Sequence, residues 1–371
     1  MRYNTGTISL FMVLLLSLPV LVQAQAPKYS NEFLTLGVDA RSFGMANSVV
    51  ASAQGAPAAY WNPAGMMKKP TRLQLGLMHA EYFAGIAKYD YGSVVAQMDR
   101  TSTAGITFIR FAVDDIPDTS ELIDANGNIN YDRIRSFSAI DFALLLSYAK
   151  ELGIEGLTLG GSTKVIRRKV GDFAGAWGFG FDIGVQYSYN QWKFGLVGRD
   201  ITSTFNAWSF NLTDKMIDVF TQTGNEIPEN SLEITMPRLL AGAGRSFSLG
   251  ERITLYAEVN LDITSDGRRN TLIRSKPFSI DPHAGLELSV GDFIFIRGGV
   301  GNIQQEYAID GKRITTFQPN MGAGLVFRNK VIIDYALTNL GNASSALYSN
   351  IFSLRLNLSA NKERPQLPDP S

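Results

Sequence analysis

In the stretch GFGFDIGVQYSY, residues 178 to 189, every second side chain is bulky and apolar or aromatic, and every one between is glycine or polar. Phe179, Phe181, Ile183, Val185, Tyr187 and Tyr189 fall on one side, and Gly178, Gly180, Asp182, Gly184, Gln186 and Ser188 on the other. A helix would scatter these residues around its axis, whereas a strand sorts them onto two faces. The pattern recurs in ITLYAEVNLDI, where Ile253, Leu255, Ala257, Val259, Leu261 and Ile263 alternate with Thr254, Tyr256, Glu258, Asn260 and Asp262. Fourteen segments of this kind lie between residues 72 and 358. An even number of strands, apolar on one side and polar on the other, is the pattern of a closed antiparallel barrel whose outside meets lipid and whose inside is wet.

Composition narrows the setting. Only 18% of residues are charged and the formal net charge is zero, so no basic surface for nucleic acid is present. The chain begins with Arg2, an apolar run from Leu10 to Val22 and small residues around VQAQA, the layout of a cleaved secretory signal over residues 1–24. The run is too short to span a bilayer as a helix, which takes roughly 20 residues, and no later run reaches that length. Cysteine is absent, so disulfides, thiolate metal sites and lipid attachment through cysteine are all excluded. An exported barrel without anchors belongs in the bacterial outer membrane, in contact with its lipid.

The joins predict an orientation. DRTS, NQ, SLGE, VGD and RNK are short and alternate with longer connections at 113–137, 201–235, 264–280, 301–316 and 339–349. With the N-terminus in the periplasm, every short join falls on the periplasmic face and the long loops lie outside. The expected organisation is an N-terminal hatch over residues 25–70, a transmembrane barrel over 71–358 and a polar, proline-rich tail over 359–371, with Phe352 the only aromatic residue of the last strand.

The hatch expectation rests on small residues. Gly37, Ala40, Gly44, Ala46, Ser48, Ala51, Ser52 and Ala53 let backbone approach a barrel wall closely, and Asn62, Pro63, Ala64 and Gly65 predict a fixed turn. Two blocks, FLTLGVDARSFGMANSVVASAQGAPAAYWNPAGM and ITSTFNAWSFNLTDKMIDVF, resemble the PorV/PorQ family of the Bacteroidota, within the FadL-like fold of fourteen-stranded barrels whose N-terminal hatch carries an Asn-Pro-Ala motif. That resemblance implies a non-enzymatic component of type IX protein secretion, binding the C-terminal domains of cargo or assisting other secretion components. The alternative it leaves open is a FadL-type transporter that passes hydrophobic small molecules laterally through the wall. An apolar luminal pocket near the hatch, with a break in the wall, would mark the transporter.

Little else in the sequence carries chemistry. His79 and His283 lie in different strands without a partner at metal-ligand spacing, and no cofactor, metal or catalytic set is predicted. DANGN, residues 124–128, has Ile129 and Arg135 where a calcium loop needs Gly and Glu, so it reads as an exposed turn. The inward carboxylates Asp182, Glu258, Asp262 and Glu287 are expected to form a luminal ion-pair network with Arg297 or with Arg41 of the hatch. In the 201–235 loop a short helix is predicted, capped by Asn211 and ended by Gly224, with Met216, Ile217 and Phe220 on one face as a candidate partner-docking surface.

Overall fold

The computed structural model describes residues 30–358 apart from 69–70, 83–84, 123–127, 276, 308–311 and 341–348. The signal segment, the polar tail and four of the five DANGN residues lie outside the described residues.

Fourteen strands close into one antiparallel barrel: β1 (Leu73–Tyr82), β2 (Ala87–Gln97), β3 (Ser102–Asp118), β4 (Arg135–Glu151), β5 (Leu157–Val170), β6 (Ala174–Tyr189), β7 (Trp192–Arg199), β8 (Arg238–Ser248), β9 (Ile253–Thr264), β10 (Ser279–Val290), β11 (Ile294–Tyr307), β12 (Arg313–Phe327), β13 (Val331–Thr338) and β14 (Ser349–Leu358). Each pairs with its sequence neighbours, and β14 pairs with β1 from Leu73↔Leu358 to Glu81↔Asn350. No edge is left for water or lipid to satisfy. The alternation is visible in the burial: on β9, Tyr256, Glu258 and Asn260 are buried while Val259 is exposed to the surroundings. Leu77, Ile106, Leu146, Leu196, Leu286 and Ile333 belong to the same outward apolar band.

The membrane-embedded parts of the strands follow the sequence expectation closely; the parts above it do not. β3 runs to Asp118 and β4 starts at Arg135, where the sequence expectation stops at 112 and resumes at 138. A strand standing above the bilayer has no lipid face, so its two-residue period weakens. The 201–235 loop holds two further short strands: Phe205–Phe210 pairs with the upper part of β6, and Ser231–Ile234 pairs with Phe205–Phe210.

The short-long alternation is looser than expected. Only residues 83–86 join β1 to β2 and only 171–173 join β5 to β6, and both joins are on the long-loop face. Gly171, at φ 52°, takes up the left-handed conformation that the second of these turns requires. On the opposite face, Asp99 sets the β2–β3 turn: its carboxylate accepts from Thr101 N at 2.7 Å and from Ser102 Oγ at 2.5 Å. Those hydrogen bonds, with Ser102 contributing most, hold its pKa down to about 2.

The core lies inside the barrel. Residues 30–68 carry helices α1 (Ala40–Gly44) and α2 (Ala58–Trp61) and a 3-10 turn, Pro63–Met67, all largely buried. This luminal segment meets the wall on opposite sides: Ala40 N donates to Ser353 Oγ of β14 at 3.1 Å, and Ala51 N donates to Glu258 of β9 at 2.8 Å. Ala56 N donates to Gln74 of β1 at 2.7 Å.

Candidate functional site

The Asn-Pro-Ala-Gly turn is built from its own residues first. Asn62 caps the 3-10 turn, its Oδ1 accepting from Ala64 N at 3.3 Å, and Pro63 occupies the first helical position, where its missing N–H costs nothing. The Asn62 amide nitrogen then donates to Val50 O and to Val185 O, both at 3.0 Å. One fully buried side chain therefore ties the segment to itself and to β6. Gly65 N closes the turn on Asn62 O at 2.9 Å.

The inward carboxylates do not form one network. Glu287 does sit between Arg41 (2.8 Å) and Arg297 (2.6 Å). Asp182 pairs instead with Lys164 of β5 at 2.8 Å, together with Asp200. Glu258 accepts from hatch backbone and from Tyr256 OH at 2.7 Å, and Asp262 faces Arg238 at 3.6 Å. The reason is geometric: the four lie on three strands around the lumen, and the segment's one arginine, Arg41, is carried to β10. Sequence reasoning missed Arg199, which donates to Tyr60 O at 2.9 Å with its guanidinium 4.6 Å from the Tyr60 ring centre and 5.8 Å from that of Trp61. The adjacent aromatics of YWNPAG were the available signal.

His79 points outward from β1, with Nδ1 2.7 Å from Asp90, while His283 Nδ1 lies 3.1 Å from Ala46 O. Among the described residues no cluster of three or more His, Asp or Glu could hold a metal ion.

At the foot of the segment, Lys68 Nζ donates to Ser188 Oγ at 2.5 Å. Burial, with the nearby Lys193 charge adding to it, pushes its pKa down to about 8 from 10.5. Between those values the unfolded chain binds a proton that the folded one lacks, so stability rises with pH across this window. A Lys68→Met variant should therefore gain unfolding temperature over the wild type at pH 7, and the gain should shrink between pH 8 and 10.5. A difference that does not change with pH would contradict this.

Two cavities of about 640 Å³ each open at the long-loop end of the barrel. One, over β8–β13, is polar and includes Arg238, Asp262, Asp281 and His283. The other is an apolar cup on the inward face of β3–β6. A bulge in β3 between Val113 and Ile116, with Asp115 at φ 57°, carries Pro117 and Asp118 to its rim. Phe137 and Phe173 meet edge to face at 5.0 Å on one side, and Trp208 and Phe210 stack at 6.2 Å on another. Under the Trp208 ring sits the Arg168 guanidinium, 5.0 Å from its centre and paired with Asp141 (2.8 Å) and Glu233 (3.3 Å).

Helix α3 (Asp214–Gln222) covers the cup. Its cap is Thr213 rather than Asn211, with Oγ1 accepting from Met216 N at 3.3 Å, because Asp214 is already the first helical residue. Gly224, at φ 68°, follows its end. Met216, Val219 and Phe220 line the cup and Ile217 does not, so the face is rotated from the expected 216/217/220 set. The strand FNAWSF, whose alternation places Trp208 and Phe210 on one side, was the missed signal for the rest.

The apolar pocket beside the Asn-Pro-Ala turn with a break in the wall, the feature that would mark the transporter, is not seen among the described residues. Every neighbouring pair of barrel strands is hydrogen-bonded, and the apolar cavity lies at the outer mouth instead.

No protein-family model and no curated protein matches the chain. Solved structures do. A monoaromatic hydrocarbon channel, CymD, superposes with a TM-score of 0.56 at 14% identity, covering 87% of this chain and 98% of that one. The toluene transporter TodX of Pseudomonas putida gives the same TM-score, identity and coverages. The toluene transporter TbuX of Ralstonia pickettii gives 0.54 at 13% identity, with coverages of 87% and 98%. The fold is that of these outer-membrane channels. With the closed ladder and apolar outer band, it places the chain in the bacterial outer membrane.

Proposed function

We propose that this barrel takes up hydrophobic small molecules, capturing them from outside in the cup under α3. The observation that carries this reading is the cup itself: an inward-facing cavity walled by aromatic rings, above a luminal segment that fills the pore. The fold shared with hydrocarbon channels supports it. Passage then requires the luminal segment to move, because no lateral exit exists among the described residues.

The type IX reading rests on the resemblance of two sequence blocks, with no matching family model behind it. Two of its three docking anchors, Met216 and Phe220, face the cup, where a protein partner meets them only after α3 lifts.

The test is accumulation of radiolabelled toluene by cells with and without the protein. Cells making it should accumulate the compound faster. Phe137→Ser combined with Phe220→Ser should weaken capture roughly tenfold or more, since each ring contributes about 1.5–3 kcal/mol when buried. Equal uptake with and without the protein, beside loss of secreted cargo from the cell surface, would reverse the choice between the two readings.

A further inference from the structure

Resting on that reading, we infer that the cup selects its ligands by charge, accepting neutral or cationic amphiphiles and rejecting fatty-acid anions. The lining carries two ionisable side chains, Asp118 and Glu233, and both are acidic. Among the described residues, neither lysine nor arginine lines the cavity. The nearest guanidinium, Arg168, lies behind the Trp208 ring and is held by two carboxylates, Asp141 and Glu233. One cation between two anions leaves a net negative charge at the floor. Trp208 Nε1, a donor that a ligand carboxylate would need, is already given to Glu233 at 3.1 Å.

The rim does not restore the balance. Asp118 accepts from Ser120 N at 2.9 Å, and Arg135, opposite it across the β3–β4 ladder, makes no ion pair with it. Lys215 of α3 reaches Glu121 at 3.2 Å with its side chain half exposed, so it is engaged away from the lining. An apolar chain entering the cup therefore meets hydrocarbon walls, with only hydrogen-bond acceptors and hydroxyls for its head. A hydroxyl or an ammonium finds partners in Glu233, Asp118 and Ser231, whereas a carboxylate is desolvated beside charges of its own sign. A fatty acid should bind only after taking up a proton, so its affinity should rise as pH falls.

Equilibrium binding of dodecanol, dodecyltrimethylammonium and dodecanoate to the whole protein in amphipol tests this, with partition into protein-free amphipol subtracted. Dodecanol and the ammonium compound should bind at pH 8, and dodecanoate at least about tenfold more weakly, a modest penalty for like charges near a protein surface. Glu233→Gln retains an acceptor for Trp208 and leaves Arg168 its Asp141 partner. It should narrow the gap by strengthening dodecanoate relative to dodecanol. Dodecanoate binding as tightly as dodecanol at pH 8 overturns charge selection and leaves the capture reading standing. Binding of none of the three removes the capture reading, and this inference with it.

Discussion

Replacing Glu287 with alanine is expected to lower the unfolding temperature sharply and to loosen the luminal segment. Glu287 grips Arg41 with both oxygens, at 2.8 and 3.1 Å, and takes Arg297 Nε at 2.6 Å. From there the charges alternate: Arg297 reaches Asp334 at 2.7 Å, Asp334 reaches Arg355 at 2.8 Å, and Arg355 lies 3.7 Å from Asp39. Both ends of this chain, Arg41 and Asp39, belong to the luminal segment, and its middle belongs to β10, β11, β13 and β14. Three acids balance three arginines. Removing one acid leaves two buried guanidinium groups facing each other, and breaking one partner out of such a set costs about 3–5 kcal/mol.

A control separates charge from packing. Arg41→Met combined with Glu287→Leu removes the pair together and leaves Arg297 on Asp334, so it should recover most of the loss. Thermal unfolding of the two variants beside wild type would show it, and an alanine variant as stable as wild type would mean that the chain of charges is not what holds α1 to the wall.

The sequence displays what lipid and strand geometry impose locally. GFGFDIGVQYSY and ITLYAEVNLDI could be oriented correctly because each residue's neighbour two positions away shares its environment. The turn at Asn62 was legible for the same reason, since cap, proline and small residue act within four positions. What stayed hidden depends on distant residues. That Lys164 rather than Arg297 meets Asp182 depends on the register of β5 against β6 and on Asp200 folding back beside the same lysine, which no alternation pattern fixes. The rotation of α3 was likewise hidden: Val219 belongs to the lining because Phe137 and Trp208, far apart in sequence, form the surface that the helix covers. The β3 and β4 extensions escaped because above the membrane both faces of a strand meet similar surroundings.

The luminal segment can be tested through the wall that receives it. Gly160 of β5 faces inward, and a Cβ built there would stand 2.4 Å from Ala64 N and 2.5 Å from Pro63 C. Those are backbone atoms, held by Asn62 on one side and by the turn on the other, so they cannot yield as a flexible side chain would. Gly160→Val should therefore leave the strand content intact, because valine suits a pleated wall, while the Asn-Pro-Ala turn loses its seat. Overpacking alone costs about 1–3 kcal/mol, and here the segment has an alternative to bearing that strain: it can leave. Planar bilayers should record long-lived open steps for this variant where the wild type stays closed. Gly298→Val on β11 is the matched control, since its Cβ would have nothing within 4 Å. It should behave as wild type. If Gly160→Val also stays closed and as stable as the parent, the segment does not rest against β5 in the membrane, and uptake must begin from a different arrangement of the pore.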